Sequence, residues 1–228
     1  MNNKENKIGF TLIELIIVLA IVAVLAAILI TIIRPQQIFQ NLRDTQRMSD
    51  LKNLANAINL YMTDMQNKGQ DIVLTPSGTV LTVPNGQILN QPNVGCKGGA
   101  TPTIFYSTAN VGGTSTGFSG ARATTTRTVA TSTTENPPGW LPVPIATSSL
   151  VQLPSLPIDP RNSLDASTQN SFYYTFACNL SDLSFELNAR LEIKTNEMQN
   201  DGGDVNSLYE VGTNLNILPN ATSSHFYP

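Results

Sequence analysis

The sequence predicts an α+β fold, in which a long N-terminal transmembrane and stalk helix packs on a C-terminal head with an antiparallel β-sheet. Three observations carry this. Residues 10–33 form a 24-residue apolar block with a single charge, Glu14. Past that block, apolar residues recur at helical spacing as far as Met65. Late in the chain, two runs alternate apolar and polar residues with period two, as half-buried strands do. Charged residues make up 13% of the 228, below the roughly 25% of an ordinary soluble protein, so the average hides two unlike regions.

The block comes first. As a helix it is about 36 Å long, enough to cross a hydrocarbon core of about 30 Å. It is too long for a secretory apolar core, and no Ala-x-Ala cleavage site follows it before Arg34-Pro35. Lys4 and Lys7 precede it, while Arg34, Arg43, Arg47 and Lys52 follow, so positive charge alone leaves the orientation open. Glu14 lies inside the block, where a carboxylate costs roughly 2.5–3.5 kcal/mol on insertion scales and needs neutralisation or a positive partner. A plain membrane anchor leaves Glu14 unexplained.

The residues just before it supply an explanation. Lys7-Ile8-Gly9-Phe10-Thr11-Leu12-Ile13-Glu14 resembles the processing site of type IV prepilins: a short charged leader ending in Gly, then Phe, then a carboxylate at the fifth residue after the cut. The resemblance implies a type IV pilin or pseudopilin. It implies a leader of residues 1–9, cleavage between Gly9 and Phe10 by a prepilin peptidase, and N-methylation of Phe10. It further implies that Glu14 pairs with the Phe10 α-amine of a neighbouring copy, which answers the question Glu14 poses, since buried charges are tolerable as partners. The expected partners are other copies of the chain in a helical filament, the peptidase, a pilus assembly platform and the inner membrane. The expected location is the membrane before assembly and a surface filament afterwards. A pseudopilin or minor pilin of a secretion or DNA-uptake machine is the near alternative, and a tethered binding module that never polymerises is the distant one.

Arg34-Pro35 marks the membrane exit, where Arg34 reaches headgroups and Pro35 kinks the helix. From there Ile38, Leu42, Met48, Leu51, Ala55, Ile58, Met62 and Met65 form one apolar stripe, with Arg43, Asp44, Arg47, Asp50, Lys52 and Asp64 mainly off it on a solvated face. One nearly continuous helix is expected from about Thr11 to Met65, closing at Lys68-Gly69. The division is therefore 10–33 for the membrane and polymerisation helix, 34–68 for the stalk, and 69–228 for the head.

The head begins with short runs read as strands, residues 72–74 and 80–83, around a Pro76-Ser77-Gly78 turn. Residues 101–134 hold 16 Ser or Thr and 4 Gly, a composition that suits exposed strand or loop, with hydroxyls for glycans, and not a dense core. Arg122 and Arg127 within it offer DNA or a surface polyanion a weak footprint of two charges, and a solvated loop is the favoured reading. Proline-rich loops around Trp140 and residues 153–160 follow, with Trp140 read as a core residue. Phe172, Tyr174, Phe176 and Cys178, then Phe185, Leu187, Ala189, Leu191 and Ile193, define an antiparallel hairpin with one buried face turned to the stalk.

Cys96 and Cys178 are the two thiols, and an exported domain with an even pair favours one disulfide. Asp201, Asp204 and Asn206 lie in a Gly-rich turn, and related pseudopilins hold calcium in a C-terminal loop. The turn lacks a bidentate Glu and regular spacing, so calcium is a weak candidate beside an ordinary polar turn. Asp159 and Asp165 sit in another polar loop without the spacing of a catalytic pair. Enzymatic function is disfavoured: His225 is the sole imidazole, two Cys cannot make a four-thiolate zinc site, and no phosphate-loop or hydrolase motif occurs. Residues 135–228 carry 10 acidic and 3 basic side chains, which disfavours nucleic-acid binding by that half.

Overall fold

The computed structural model describes residues 9–75, 96–99, 102–108, 118, 120–131, 139–163 and 171–218. The leader up to Ile8, the expected strand at 80–83 with its Pro76-Ser77-Gly78 turn, Asp165 and His225 lie outside the described residues. Two compact units divide the chain, residues 1–40 and residues 41–228.

The first unit is helical. Helix α1, Leu12–Ile33, starts at Thr11, whose φ of −80° and ψ of 151° make it an extended N-cap. The helix ends at Arg34, which adopts a left-handed conformation with φ 44°. Helix α2, Pro35–Asn67, begins on the next residue. The expected kinked but continuous helix is thus two helices with a one-residue break. Proline disfavours helical geometry in the residue before it and is itself well suited to the first turn of a new helix, where its missing N–H has no partner to lose. The Gln37 N–H donates to the Arg34 carbonyl (3.0 Å) and closes that first turn.

Beyond residue 40, α2 belongs to the second unit and buries a stripe of Asp44, Arg47, Leu51, Leu54, Ala55, Ala57, Ile58, Tyr61, Asp64 and Met65. Spacings of three and four place these on one face. The expected stripe is correct at Leu51, Ala55, Ile58 and Met65; Met48 and Met62 are half-buried, and Ile38 and Leu42 are exposed. Asp44, Arg47 and Asp64, expected on the solvated face, are buried instead, because loops of the head bring them partners. The C-terminus closes as a Schellman motif: the Gln70 N–H donates to the Met65 carbonyl (2.9 Å), the Gly69 N–H to Gln66 (3.1 Å), and Gly69 takes φ 63°, which glycine tolerates.

The head is built on a five-stranded sheet in the order β2-β1-β3-β4-β5. The strands are β1 Thr103–Tyr106, β2 Gly120–Ala123, β3 Tyr174–Asn179, β4 Ser184–Ala189 and β5 Tyr209–Gly212, with the short helix α3, Thr195–Gln199, between the last two. Three pairs are antiparallel, but β1 and β2 run parallel, so the sheet is mixed. Residues 72–74, expected as a strand, are an irregular segment in which Val73 and Leu74 are buried and the Val73 N–H donates to the Tyr61 hydroxyl. The Ser/Thr-rich stretch supplies both β1 and β2, and Ile104, Phe105, Tyr106, Phe118, Val129 and Ala130 from it are core residues. Its composition concealed a scatter of large apolar side chains at strand spacing.

Both faces of the sheet are covered, where one buried face was expected. The larger core joins Leu51, Leu54, Ile58 and Tyr61 of α2 to Phe105, Tyr174, Phe176, Phe185, Leu187 and Tyr209, with Trp140 packed at 0% exposure and its indole N–H donating to the Pro157 carbonyl (2.8 Å). On the opposite face Ile104, Tyr106, Tyr173 and Ala177 meet Phe118, Ile217 and Leu218. The C-terminal segment therefore does for the second face what α2 does for the first. A disulfide joins Cys96 to Cys178 on β3, and backbone bonds Lys97 N–H to Cys178 O (2.7 Å) and Leu180 N–H to Lys97 O (2.9 Å) continue the attachment.

Candidate processing and assembly site

Thr11 and Glu14 make a complete capping box. The Glu14 N–H donates to Thr11 Oγ1 (3.3 Å), while Glu14 Oε2 accepts from the Thr11 N–H (2.9 Å) and the Thr11 hydroxyl (2.8 Å). Two helix-end donors are satisfied reciprocally, and the carboxylate lies where the helix dipole favours negative charge. Sequence reasoning singled out Glu14 for its charge and missed this. The signal was present as Thr-x-x-Glu leading into an apolar run.

Gly9 and Phe10 precede the cap and both are exposed, Phe10 to 91%. Among the described residues, a Cβ added at Gly9 would meet nothing within 4 Å, and Gly9 is not one of the positive-φ glycines. Behind it, Leu12–Ile30 is the one described helical stretch long and apolar enough to cross a membrane, and its large apolar side chains are exposed among the described residues. Some of that exposure continues past the break, where Ile38, Phe39 and Leu42 are also exposed. A helix apolar all round needs lipid or other helices as its surroundings.

Where α2 meets the head, a charged cluster fastens the two. Arg47, at 0% exposure, donates through Nε and Nη2 to Asp159 (2.6 and 3.0 Å) and through Nη1 to Asp44 Oδ1 and Glu192 Oε1 (both 2.8 Å). Arg43 adds a two-toothed pair to Glu192 at 2.6 and 2.7 Å. Asp44 accepts the backbone N–H groups of Glu192, Ile193 and Lys194. The guanidinium groups of Arg47 and Arg161 lie over the Phe172 ring, 4.6 and 4.4 Å from its centroid. Burial by itself would lower the Arg47 guanidinium, and its bonds to Asp159, Glu192 and Asp44 together outweigh that and raise it. Burial likewise raises Glu192, while the bonds from Arg43 and Arg47 prevail and hold it below its ordinary value. Neither Asp159 nor Glu192 could be linked to Arg47 from spacing, since each is more than 100 residues away.

The remaining expected sites lie apart from this cluster. Asp201 accepts the Gly203 N–H on Oδ1 (2.9 Å) and the Glu210 N–H on Oδ2 (2.8 Å), so it braces a turn, while Asp204 and Asn206 are exposed. Among the described residues no group of three His, Cys, Asp or Glu is placed to hold a metal ion. Arg127 donates to the Leu156 carbonyl (2.7 Å) and braces that loop, and Arg122 lies on β2, its guanidinium lowered by burial. A groove of about 460 Å³ between Val129, Ile145, Val151 and Leu153 has no titratable side chain on its walls among the described residues.

Comparison with known proteins agrees with the N-terminal reading. Residues 6–30 match the family model of the prokaryotic N-terminal methylation motif. No curated protein and no solved structure matches the chain. The chain thus carries the prepilin-type signal of type IV pilin-like and pseudopilin precursors, set at the start of an α+β protein with a pilin-like architecture.

Proposed function

We propose that this chain is a structural subunit of a type IV pilus-like surface filament, cut between Gly9 and Phe10 by a prepilin peptidase, methylated at Phe10 and polymerised through residues 10–33. The observation that carries this is the junction itself: an exposed glycine, followed within two residues by a capped helix whose apolar side chains are exposed among the described residues. The exposed Gly9-Phe10 junction inside the methylation motif supports an enzyme that reads it, and the exposed apolar helix supports neighbours of the same kind. In the filament the Phe10 α-amine of one copy meets Glu14 of the next, a pairing that makes both charges tolerable in low dielectric. The same signal serves pseudopilins and minor pilins, whose heads would stay with a secretion or uptake machine and not fill a long filament.

Intact-mass and N-terminal analysis of material sheared from cells tests the proposal, with Gly9→Leu as control. The expected chain begins at methylated Phe10, is abundant in sheared filaments and is absent from them in the control. Processed chain retained in the cell envelope would select the pseudopilin role. An uncut Met1 terminus in membranes would overturn both and leave a tethered module.

A further inference from the structure

Glu186 on β4 and Glu210 on β5 are buried, at 0% and 2% exposure. The register sets Asn188 against Glu210 and Glu186 against Gly212, so the two glutamates are diagonal neighbours on one face of the sheet. Ala177 is the cross-strand partner of Glu186, so this is the face covered by Ile217 and Leu218. Glu186 is well supplied with donors: the Asn188 amide to Oε1 (2.8 Å), and the N–H groups of Ile217 and Leu218 to Oε2 (2.8 and 3.0 Å). Glu210 has one, the Val205 N–H to Oε2 (3.0 Å), and its Oε1 is buried without a donor. Two positions apart across the β4–β5 pairing and both shut off from solvent, the two carboxyls face the same buried layer, and Glu210 Oε1 is left to find a partner there.

Two carboxylates that meet out of water repel, whereas a single proton between them makes an O–H···O bond. Burial raises Glu186 as well, but the donor count decides which one carries the proton: Glu186 accepts three bonds that favour its ionised form, and Glu210, with one, is the acid that donates. We propose that Glu186 and Glu210 hold one proton between them, and that this proton latches residues 213–218 and the turn at 201–205 onto the sheet, so that its loss frees the C-terminal segment and uncovers the second core.

The surroundings agree. Burial first, then the charges of Glu186 and Asp201, push Glu210 up to about 9. A Cβ at Gly203 would collide with the Glu210 carboxyl, so the turn is fitted closely over it. Asp201 faces the pair through the Glu210 N–H, and Lys97 reaches the segment from the disulfide side, its Nζ donating to the Ile217 carbonyl (2.8 Å). From β3 the neighbours are Thr175, Ala177 and the Tyr173 phenol, which has Arg190 close by, and residues 213–218 carry no charged side chain.

The test is amide hydrogen exchange at Ile217 and Leu218 in the full chain in detergent micelles, corrected for intrinsic rates, from about pH 6 to about pH 8.5. Opening releases one proton across this range, so the opening constant is expected to rise about tenfold per pH unit in the wild type. In Glu210→Gln, whose carboxamide donates the same bond without titrating, the profile is expected to be flat. A flat wild-type profile, or a slope that persists in Glu210→Gln, would overturn the proposal. Infrared spectroscopy of the unaltered protein gives a second reading: a protonated carboxyl present at pH 7 and lost as pH rises through about 9 supports it, and none at pH 7 sinks it. Exchange in chelator and in added calcium is expected to coincide. Extra protection from calcium would place a cation, not a proton, between the carboxyls and would overturn the latch.

Discussion

At Glu14 one carboxylate answers two demands, closing the cap with Thr11 within a chain and, in the proposed filament, meeting the Phe10 amine of a neighbour. Glutamine fills the same capping position without charge, so the two demands separate. Glu14→Gln is expected to be cleaved and to insert normally but to yield few or no sheared filaments, while Glu14→Ala loses the cap as well, at about 1 kcal/mol of helix stability. Immunoblots of processed chain in membrane and shear fractions check this; filaments of normal yield from Glu14→Gln would sink the charge pairing. Arg47 is a buried charge with three carboxylate partners, and removing it leaves Asp44 and Asp159 buried on backbone N–H donors and Glu192 on Arg43. Arg47→Met is expected to destabilise the head by about 3–5 kcal/mol, read from guanidinium unfolding by the fluorescence of Trp140, the sole and buried tryptophan. Glu14 was legible because a charge in an apolar run stands out. Arg47 was not, because a charge on a helix reads as solvated until distant loops bring partners to it.

Among the elements, legibility followed the locality of the cause. The closure of α2 at Lys68-Gly69 and the hairpin of β3 and β4 depend on residues a few positions apart, and both were readable. The parallel pairing of β1 with β2 was not, since nothing in either four-residue strand specifies its partner. The second buried face was hidden for a like reason, because Ile217 and Leu218 lie about 30 residues beyond the strand they cover. The break between α1 and α2 is an intermediate case: Pro35 was visible, but the left-handed turn at Arg34 depends on the balance between proline's bias and the continuity of the helix. That balance gives a prediction. Pro35→Ala removes the bias and lets Arg34 leave a conformation that costs a non-glycine residue about 1–2 kcal/mol. The amides of Arg34 to Phe39 are expected to gain exchange protection as α1 runs into α2, with Trp140 fluorescence unchanged. Unaltered exchange would show that the break does not depend on Pro35.

For the molecule as a whole, the disulfide and the ionised clusters act on one folding equilibrium from different sides. Linking Cys96 to Cys178, 82 residues apart, restricts the unfolded chain, and Cys96→Ala with Cys178→Ala is expected to cost up to about 4.5 kcal/mol by the chain-entropy argument. The carboxylates add a dependence on pH whose sign differs between clusters. Glu192 is held below its ordinary 4.5, so the native state releases its proton more readily than the unfolded chain does, and the stability it contributes is present above about pH 4.5 and lost as pH falls through the folded value. Glu210 is raised to about 9, so the native state keeps a proton that the unfolded chain gives up above about pH 4.5, and its contribution drains away as pH rises toward 9. The two arms together place the maximum of stability on the mildly acidic side, near pH 5, and not at neutrality. Guanidinium midpoints followed by Trp140 across about pH 3 to pH 10 measure the curve. Arg47→Met, which leaves the Arg43 pair to Glu192 in place, is expected to make the acid arm shallower and leave the alkaline one, and Glu210→Gln to flatten the alkaline arm and leave the acid one; a variant that altered both would mean that the two clusters, on opposite sides of the sheet, do not act independently.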